Sequence, residues 1–291
     1  MQAISKIVLG TVQFGTDYGI NNTTGKPNQE TINKILNTAY RSGIHTLDTA
    51  EAYGNAHEVI GRFHRDYPEN IFSVITKLPH RINEDLNQKI DKYLNELNVN
   101  KLHGLLFHSY QTYKDNKQSM ELLNTYKNNG KVEYLGVSVY TNEQIEDVIE
   151  DQYVDIIQIP FNLFDNSNLR REVLNKAKSK GKIIHTRSAF LQGLFFMPLN
   201  TENRVVQLLA KELNYIRGLS LNSDIHLNKI ALNYCLQQAN IDNILIGIDN
   251  LDQLNQNLAD ADCSLPDELI AEINSIHIKD IDLLNPSLWN Q

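Results

Sequence analysis

Short β-branched and apolar runs alternate with longer amphipathic segments along nearly the whole chain. The amphipathic segments have helical spacing; the one around Ile32 to Tyr40 precedes Gly43, a residue type that commonly ends a helix. Regular alternation of the two patterns favours a parallel sheet. The runs that predict strands are Lys6–Gly10, His45–Asp48, Ile71–Lys77, Gly104–His108, Tyr134–Ser138, Ile156–Ile159, Ile183–Thr186 and Ile244–Ile246.

Eight such units in 291 residues predict an α/β protein with a single (β/α)8 TIM barrel, one domain over residues 1–291. A Rossmann-type sheet is the alternative, but no G-x-G-x-x-G follows any predicted strand, and GTVQFG lacks the end of a P-loop. The longest gap between strands, from about Thr186 to Asn243, predicts a helix, a loop and a second helix. In a barrel, such an excursion belongs to the C-terminal face, where active sites form.

The composition, 41% hydrophobic and 21% charged, is ordinary for a folded globular protein. The net charge of −8 argues against nucleic acid as the main partner, because a phosphate backbone requires a basic face. Cys235 and Cys263 have neither metal-site spacing nor a disulfide pattern, which favours a reducing compartment. No signal peptide and no membrane-length apolar run is recognisable. We therefore expect a soluble, cytoplasmic protein without a metal site, monomeric by default.

Four polar residues lie at or just beyond the ends of neighbouring predicted strands. Asp48 ends the second strand, Tyr53 follows it after a short loop, Lys77 ends the third and His108 ends the fourth. Each residue type alone is more often structural, as a helix cap, a packing group or a solvated charge. Together, Asp48 would hold Lys77, the ammonium would lower the pKa of the Tyr53 phenol, and His108 would polarise a carbonyl.

The run LDTAEAYGNAHEVIG, from Leu47 to Gly61, resembles the signature of the aldo-keto reductases. The catalytic Asp and Tyr of the family's D-T-A-x-x-Y-G match Asp48 and Tyr53. Its catalytic Lys and His match Lys77 in VITKLP and His108 in LLFHSY. The resemblance implies an NAD(P)H-dependent oxidoreductase that reduces a small aldehyde or ketone, sugar-derived carbonyls included, with Tyr53 as general acid.

The resemblance also implies which residues bind the cofactor, which family members hold in an extended pose across the barrel mouth. Ser138 and Gln158 match the carboxamide contacts, although Val139 stands where the family usually has Asn. The full implied set is Gly10, Thr11 and Asp48 near the first strands, Ser138 and Gln158, then Ser188, Phe190, Leu191 and Gly193 around the pyrophosphate, and Gly247, Asp249, Asn250, Gln253 and Asn257 at the adenosine end.

Asp249 leaves the cofactor preference open. NADP(H) is the family default, but a carboxylate beside a 2′-phosphate would repel it, and an acid that binds the ribose 2′-hydroxyl favours NAD(H). Alternatively, Asp249 caps the helix predicted from Leu251 onward.

The resemblance implies a substrate pocket formed by Tyr18, Tyr53, His108, Tyr110 and Trp289. Arg187 is a candidate anion contact. We expect only some of the aromatic candidates to line the pocket, and the sequence does not identify the substrate. Further aromatic candidates are Tyr113, Tyr140, Phe161 and Phe164.

Two other functions remain as alternatives. The first is a nicotinamide-binding scaffold or redox sensor without turnover, because a fold does not guarantee activity. The second is a barrel isomerase or lyase, which would need a metal or paired-carboxylate site, and the nine histidines show no H-x-x-x-H pattern.

Overall fold

The computed structural model describes residues 3–19 and 25–289. Eight parallel strands close into a barrel in sequence order, with helices between them, which is the predicted TIM barrel. The strands are β1 Ile7–Gly10, β2 Thr46–Asp48, β3 Ser73–Leu78, β4 Leu102–Phe107, β5 Val132–Ser138, β6 Ile156–Pro160, β7 Ile183–Arg187 and β8 Asn243–Gly247.

Helices follow the strands on the outside of the barrel. Short 3-10 turns lie at Ile4–Lys6, Lys117–Ser119, Leu191–Phe196, Ile281–Leu284 and Pro286–Leu288. The α-helices are α1 Val12–Gly15, α2 Gln29–Arg41, α3 Ala56–Asp66, α4 Leu86–Leu97, α5 Tyr110–Asp115, α6 Met120–Asn128, α7 Asn142–Ile149, α8 Ser167–Ser179, α9 Arg204–Leu208, α10 Ala210–Ser223, α11 Leu227–Leu236, α12 Leu251–Asp260 and α13 Asp267–Asn274. None of these helices is long and apolar enough to cross a membrane.

The predicted strands agree with the observed ones to within about two residues at each end. The largest structural difference lies between β7 and β8, where the chain forms a 3-10 turn and three helices rather than a helix, a loop and a helix. Asn203 caps the additional helix α9, since its side chain accepts hydrogen bonds from the amides of Val205 and Val206.

The barrel interior determines which side chains reach the site. Ile75, Leu106 and Ile156 form a small buried cluster, against which Tyr134 and Ile183 pack. Successive side chains of a strand point to opposite faces, so residues two positions further along point the same way. The same inner face therefore presents Lys77 after Ile75, His108 after Leu106, Gln158 after Ile156, and His185 and Arg187 after Ile183.

Candidate active site

Asp48 and Lys77 form a buried ion pair at the ends of β2 and β3. The Lys77 ammonium contacts Asp48 Oδ1 and donates to the Thr49 carbonyl at 3.2 Å. The Gln158 amide nitrogen donates to Asp48 Oδ2 at 2.8 Å, so both carboxylate oxygens have a donor. Burial lowers the pKa of Lys77, and the adjacent carboxylate opposes that shift. The pair thus anchors β2, β3 and β6 to one another.

The loop that carries Tyr53 is held tightly against α1. A Cβ at Gly15 would overlap the Tyr53 carbonyl oxygen, so the two segments can approach this closely only because residue 15 is glycine. The Tyr53 amide donates to Ala50 at 3.0 Å, and the Ala56 amide donates to the Tyr53 carbonyl at 3.0 Å as α3 begins. These contacts fix the backbone position from which the tyrosine side chain extends.

The phenol ring of Tyr53 lies between Lys77 and His108. The Lys77 ammonium is 5.4 Å from the ring centroid, and the His108 ring meets Tyr53 edge-on at 5.6 Å between centroids. Burial raises the pKa of the phenol, Asp48 raises it further, and Arg187 opposes them. The expected net lowering of this pKa is therefore wrong for the protein alone, because desolvation of the phenolate outweighs the opposing charge of Arg187.

His108 follows β4 and stacks on His80, with 4.7 Å between ring centroids. In the described part of the chain, its buried Nδ1 has no hydrogen-bond partner. Burial lowers the pKa of His108 to about 3, and the cation of Lys77 adds to the effect. The imidazole is therefore neutral near pH 7 and can donate one hydrogen bond.

The predicted carboxamide contacts lie side by side. Ser138 ends β5 and is paired in register with Gln158 of β6, and both side chains are buried. Just after β1, the hydroxyl of the buried Thr11 donates a hydrogen bond to the Asp48 carbonyl at 3.0 Å. The preceding residue, Gly10, is paired in register with Asp48 of β2. The Thr11 hydroxyl thus supports the end of β2.

The loop after β7 has an unusual backbone. Ser188, Leu191, Gln192 and Gly193 all have positive φ, at 65°, 46°, 54° and 84°. Leu191 is fully buried and Phe190 is half-buried beside it. Left-handed conformations at three non-glycine residues cost free energy, which surrounding contacts must offset, and such residues cluster at binding sites.

A hydrogen bond across the barrel mouth joins that loop to the loop after β1. The Gln192 amide donates to the Tyr18 hydroxyl at 2.7 Å. Tyr18 is 41% exposed, so it lies at the rim rather than in the core. This position agrees with the place expected for a pocket residue.

At the end of β8, Asn250 rather than Asp249 caps the next helix. The Asn250 side chain accepts from the Gln253 amide at 2.9 Å, so the alternative of Asp249 as the cap is wrong. The Asp249 carboxylate instead accepts from the side-chain amides of Gln253 at 3.1 Å and Gln13 at 3.4 Å. Asn257, further along α12, is buried and accepts from Asn228 at 3.4 Å.

Several aromatic candidates belong to the protein's own packing. Tyr113, Phe161 and Phe164 are at most 2% exposed, so they cannot line an open pocket. The hydroxyl of Tyr110 donates to Asp147 of α7 at 3.0 Å, which directs it toward the helical shell. The Trp289 indole donates to Leu283 at 3.1 Å within the C-terminal tail.

Two polar residues near the site are not among those predicted from the sequence. His80 follows Lys77 by three residues, and Gln13 follows the end of β1 by three residues. The signal that could have found them is the rule already applied to Asp48 and Lys77: polar side chains just beyond the carboxyl end of a barrel strand face the mouth.

Comparison with known proteins identifies the family. The sequence pattern of the Aldo/keto reductase family matches residues 6–278 of this chain. The chain belongs to the aldo/keto reductase family. Aldo/keto reductases are oxidoreductases that use nicotinamide cofactors, so this protein is an NAD(P)H-dependent reductase.

Its relatives are distant. It is 23% identical to the NADH-specific methylglyoxal reductase of Escherichia coli, over 91% of this chain and 94% of the relative. The structure resembles aldo-keto reductase AKR11C1 from Bacillus halodurans, with a TM-score of 0.77, 19% identity, and coverage of 94% of this chain and 92% of that chain. It also resembles the glycerol dehydrogenase AKR11B4 from Gluconobacter oxydans, with a TM-score of 0.74, 22% identity and coverage of 93% and 90%. At such identities the structural matches show the fold alone.

The barrel mouth fits a nicotinamide cofactor. Among the described residues, the buried polar atoms that have no protein partner include His108 Nδ1 and Gln13 Oε1, both beyond the carboxyl ends of barrel strands. A Cβ at Gly247 would lie 2.9 Å from the Gln13 amide nitrogen, so glycine at this position leaves space beside the Gln13 side chain. Unpaired buried groups of this kind are costly unless a ligand or water binds them.

Proposed function

We propose that this protein transfers a hydride between a nicotinamide cofactor and a small aldehyde or ketone, with Tyr53 as the general acid. The observation that carries the proposal is the arrangement of Tyr53 between the Lys77–Asp48 pair and a neutral His108 at the barrel mouth. Ser138 and Gln158 would hold the carboxamide, Ser188 to Gly193 the pyrophosphate, and Gly247 to Gln253 the adenosine end. When bound in its reduced form, the cofactor supplies the hydride.

Tyr53 has the properties of a proton donor in carbonyl reduction. Because burial and Asp48 raise its pKa, the phenol keeps its proton at neutral pH. It can then give the proton to the substrate oxygen as negative charge develops there. The phenolate left behind lies beside the Lys77 ammonium, 5.4 Å from the ring centroid, which stabilises it.

Lys77, Asp48 and His108 have separate tasks in this proposal. Asp48 orients Lys77 through the buried ion pair, and Gln158 orients Asp48. His108 is neutral and donates a hydrogen bond to the carbonyl oxygen, which polarises it and fixes its direction. Alcohol oxidation would use the same groups in reverse.

We further propose NAD(H) as the preferred cofactor, rather than the family default NADP(H). Asp249 puts a carboxylate at the end of β8, where the adenosine ribose is expected. Moreover, the sequence has no lysine or arginine between Lys229 and Lys279, so this segment offers no cation for a 2′-phosphate. One distant relative carries the name of an NADH-specific enzyme, which agrees with this preference.

The test is titration of the purified protein with NADH and, separately, NADPH, followed by addition of aldehydes and ketones while NADH absorbance is recorded. We expect saturable binding with a lower Kd for NADH, and NADH oxidation that depends on the carbonyl. Binding without turnover across a broad panel would favour the scaffold alternative. Failure to bind either cofactor would contradict both functions.

A further inference from the structure

Arg187 is the last residue of β7 and lies above the catalytic candidates on the inner face of the barrel. Ile183, four residues earlier on the same strand, packs against the interior cluster, and the alternation of side chains carries the same orientation to Arg187. In register, Arg187 lies opposite Pro160, two residues beyond Gln158. Its side chain therefore belongs to the uppermost layer of the barrel mouth.

The guanidinium of Arg187 lies over an aromatic ring and has few hydrogen-bond partners among the described residues. Its central carbon is 4.1 Å from the centroid of the Tyr140 ring, a cation–π contact. One nitrogen donates to the Val139 carbonyl at 3.4 Å, a long hydrogen bond. Over residues 3–19 and 25–289, no carboxylate oxygen lies within 4.0 Å of the guanidinium nitrogens of Arg187. An arginine has five N–H donors, so most of these are available to a ligand.

The guanidinium of the neighbouring Arg170, in contrast, has an ion-pair partner and further hydrogen-bond partners. Arg170 forms a bidentate ion pair with Asp165 at 2.6 and 2.8 Å and donates to Asn142 and to the Tyr140 carbonyl. It thereby supports Tyr140, on which Arg187 stacks. No described residue gives Arg187 such an ion pair, although Arg187 is half-buried.

In the part of the chain that the structure describes, the inner cation Arg187 differs from its neighbours Lys77 and Arg170 in having no carboxylate within ion-pair distance. Lys77 is paired with Asp48, and Arg170 with Asp165. The positive field of Arg187 reaches the reaction centre, because it opposes the rise in the pKa of Tyr53 and adds to the fall in the pKa of His108. An anion bound here would thus lie close to the carbonyl that Tyr53 and His108 receive.

We propose that Arg187 binds an anionic group on the substrate, so that the preferred substrates are aldehydes or ketones carrying a carboxylate or phosphate. The planar guanidinium binds such groups with two parallel hydrogen bonds. The contact with the Tyr140 ring restricts the motion of the Arg187 side chain. This inference rests on the proposed function and names the substrate class of that site. The cofactor's own phosphates are the other source of such an anion, and the test separates the two.

The test compares matched charged and neutral aldehydes at fixed saturating NADH: succinic semialdehyde against butanal, and glyoxylate against acetaldehyde. Arg187→Met removes the charge and keeps the length, Arg187→Lys keeps the charge without the fork, and Arg62→Met removes an exposed cation from the outer face of α3 as a control. For Arg187→Met we expect kcat/KM to fall about 10- to 100-fold for the anionic aldehydes, with an intermediate loss for Arg187→Lys. The loss should be clearly smaller for the neutral aldehydes, which respond only to the charge of Arg187 at the reaction centre, and Arg62→Met should change kcat/KM for no aldehyde by more than about twofold.

The Kd for NADH, measured by fluorescence, should be the same in Arg187→Met as in the wild type. Equal losses for charged and neutral aldehydes would overturn the proposal, and so would a Kd for NADH that rises in parallel, since Arg187 would then serve the cofactor. If the wild type binds NADH but reduces no carbonyl, the proposed function fails, and calorimetric titration of the NADH complex with succinate still tests Arg187. Binding to the wild type and not to Arg187→Met would support the anion site, and no binding to the wild type would refute it.

Discussion

The two sides of the barrel mouth are built differently. On the β2–β4 side, Asp48, Lys77, Tyr53 and His108 lie on or close to strand ends, and each contacts another member of the group. On the β7–β8 side, the loop from Ser188 to Gly193 contains four residues with positive φ and is joined to the β1 side through Gln192.

We assign proton transfer to the β2–β4 side and recognition of cofactor and substrate to the β7–β8 side. Proton transfer requires fixed geometry, which the buried ion pair and the close Gly15 contact provide on the β2–β4 side. Recognition of different cofactors and substrates depends on loops and on partly exposed charges at strand ends, which can change without disturbing the barrel. Arg187 and Asp249, on the β7–β8 side, are accordingly the residues to which we assign substrate class and cofactor preference.

Of the variants on the two sides of the mouth, Tyr53→Phe should lose the most activity. The phenyl ring keeps its packing against His108 and Lys77 but has no proton to give, so kcat should fall at least about 100-fold. The Kd for NADH should stay within about twofold, because the hydroxyl is proposed to serve the substrate and not the cofactor. Steady-state kinetics and fluorescence titration measure the two quantities, and full activity in this variant would rule out Tyr53 as the acid.

Lys77→Met tests whether the β2–β4 side also contributes to the free energy of unfolding. It leaves the Asp48 carboxylate buried with Gln158 as its remaining side-chain donor, which should reduce the free energy of unfolding by about 3–5 kcal/mol and kcat by about 100-fold. Urea denaturation and steady-state kinetics check the two effects.

The double variant Asp48→Asn with Lys77→Met is the matched control. It removes both buried charges, so most of the lost stability should return while activity stays low. An unchanged free energy of unfolding in Lys77→Met alone would show that the ion pair does not stabilise the barrel.

The smallest expected effect is on the β7–β8 side. Asp249→Ser removes a carboxylate near the expected 2′-phosphate, and the affinity for NADPH should rise about fivefold, equivalent to about 1 kcal/mol, with kcat for NADH unchanged. Asp262→Ser, an exposed carboxylate beyond the end of α12, is the control and should change neither affinity. Equal NADPH affinity in Asp249→Ser and the wild type would place Asp249 away from that phosphate.

The sequence predicted the barrel well because apolar, β-branched strands and capped amphipathic helices leave local patterns. It also predicted the grouping of Asp48, Lys77 and His108, since parallel strands bring their carboxyl ends to one rim. It failed for Phe161, which stacks on Tyr234 of α11 at 5.5 Å, because an apolar residue just beyond a strand looks the same whether it faces the pocket or the helical shell.

Other features depend on contacts between distant segments. Asp249 and Asn250 are both good helix caps by residue type, but Asn250 caps α12. The Asp249 carboxylate instead accepts a hydrogen bond from the side-chain amide of Gln13, near the start of the chain. Arg187 is recognisable in the sequence as a cation, but only the three-dimensional structure shows that no carboxylate of residues 3–19 or 25–289 forms an ion pair with it. The pKa of Tyr53 likewise depends on burial, which no local pattern gives.

One paired measurement decides whether the two sides of the mouth act separately. It determines kcat and the Kd values for NADH and NADPH in Tyr53→Phe and Asp249→Ser under identical conditions. We expect Tyr53→Phe to lose turnover with both Kd values preserved, and Asp249→Ser to keep turnover while the ratio of the two Kd values shifts toward NADPH. Turnover retained in Tyr53→Phe, or lost in Asp249→Ser without a change in that ratio, would contradict the account.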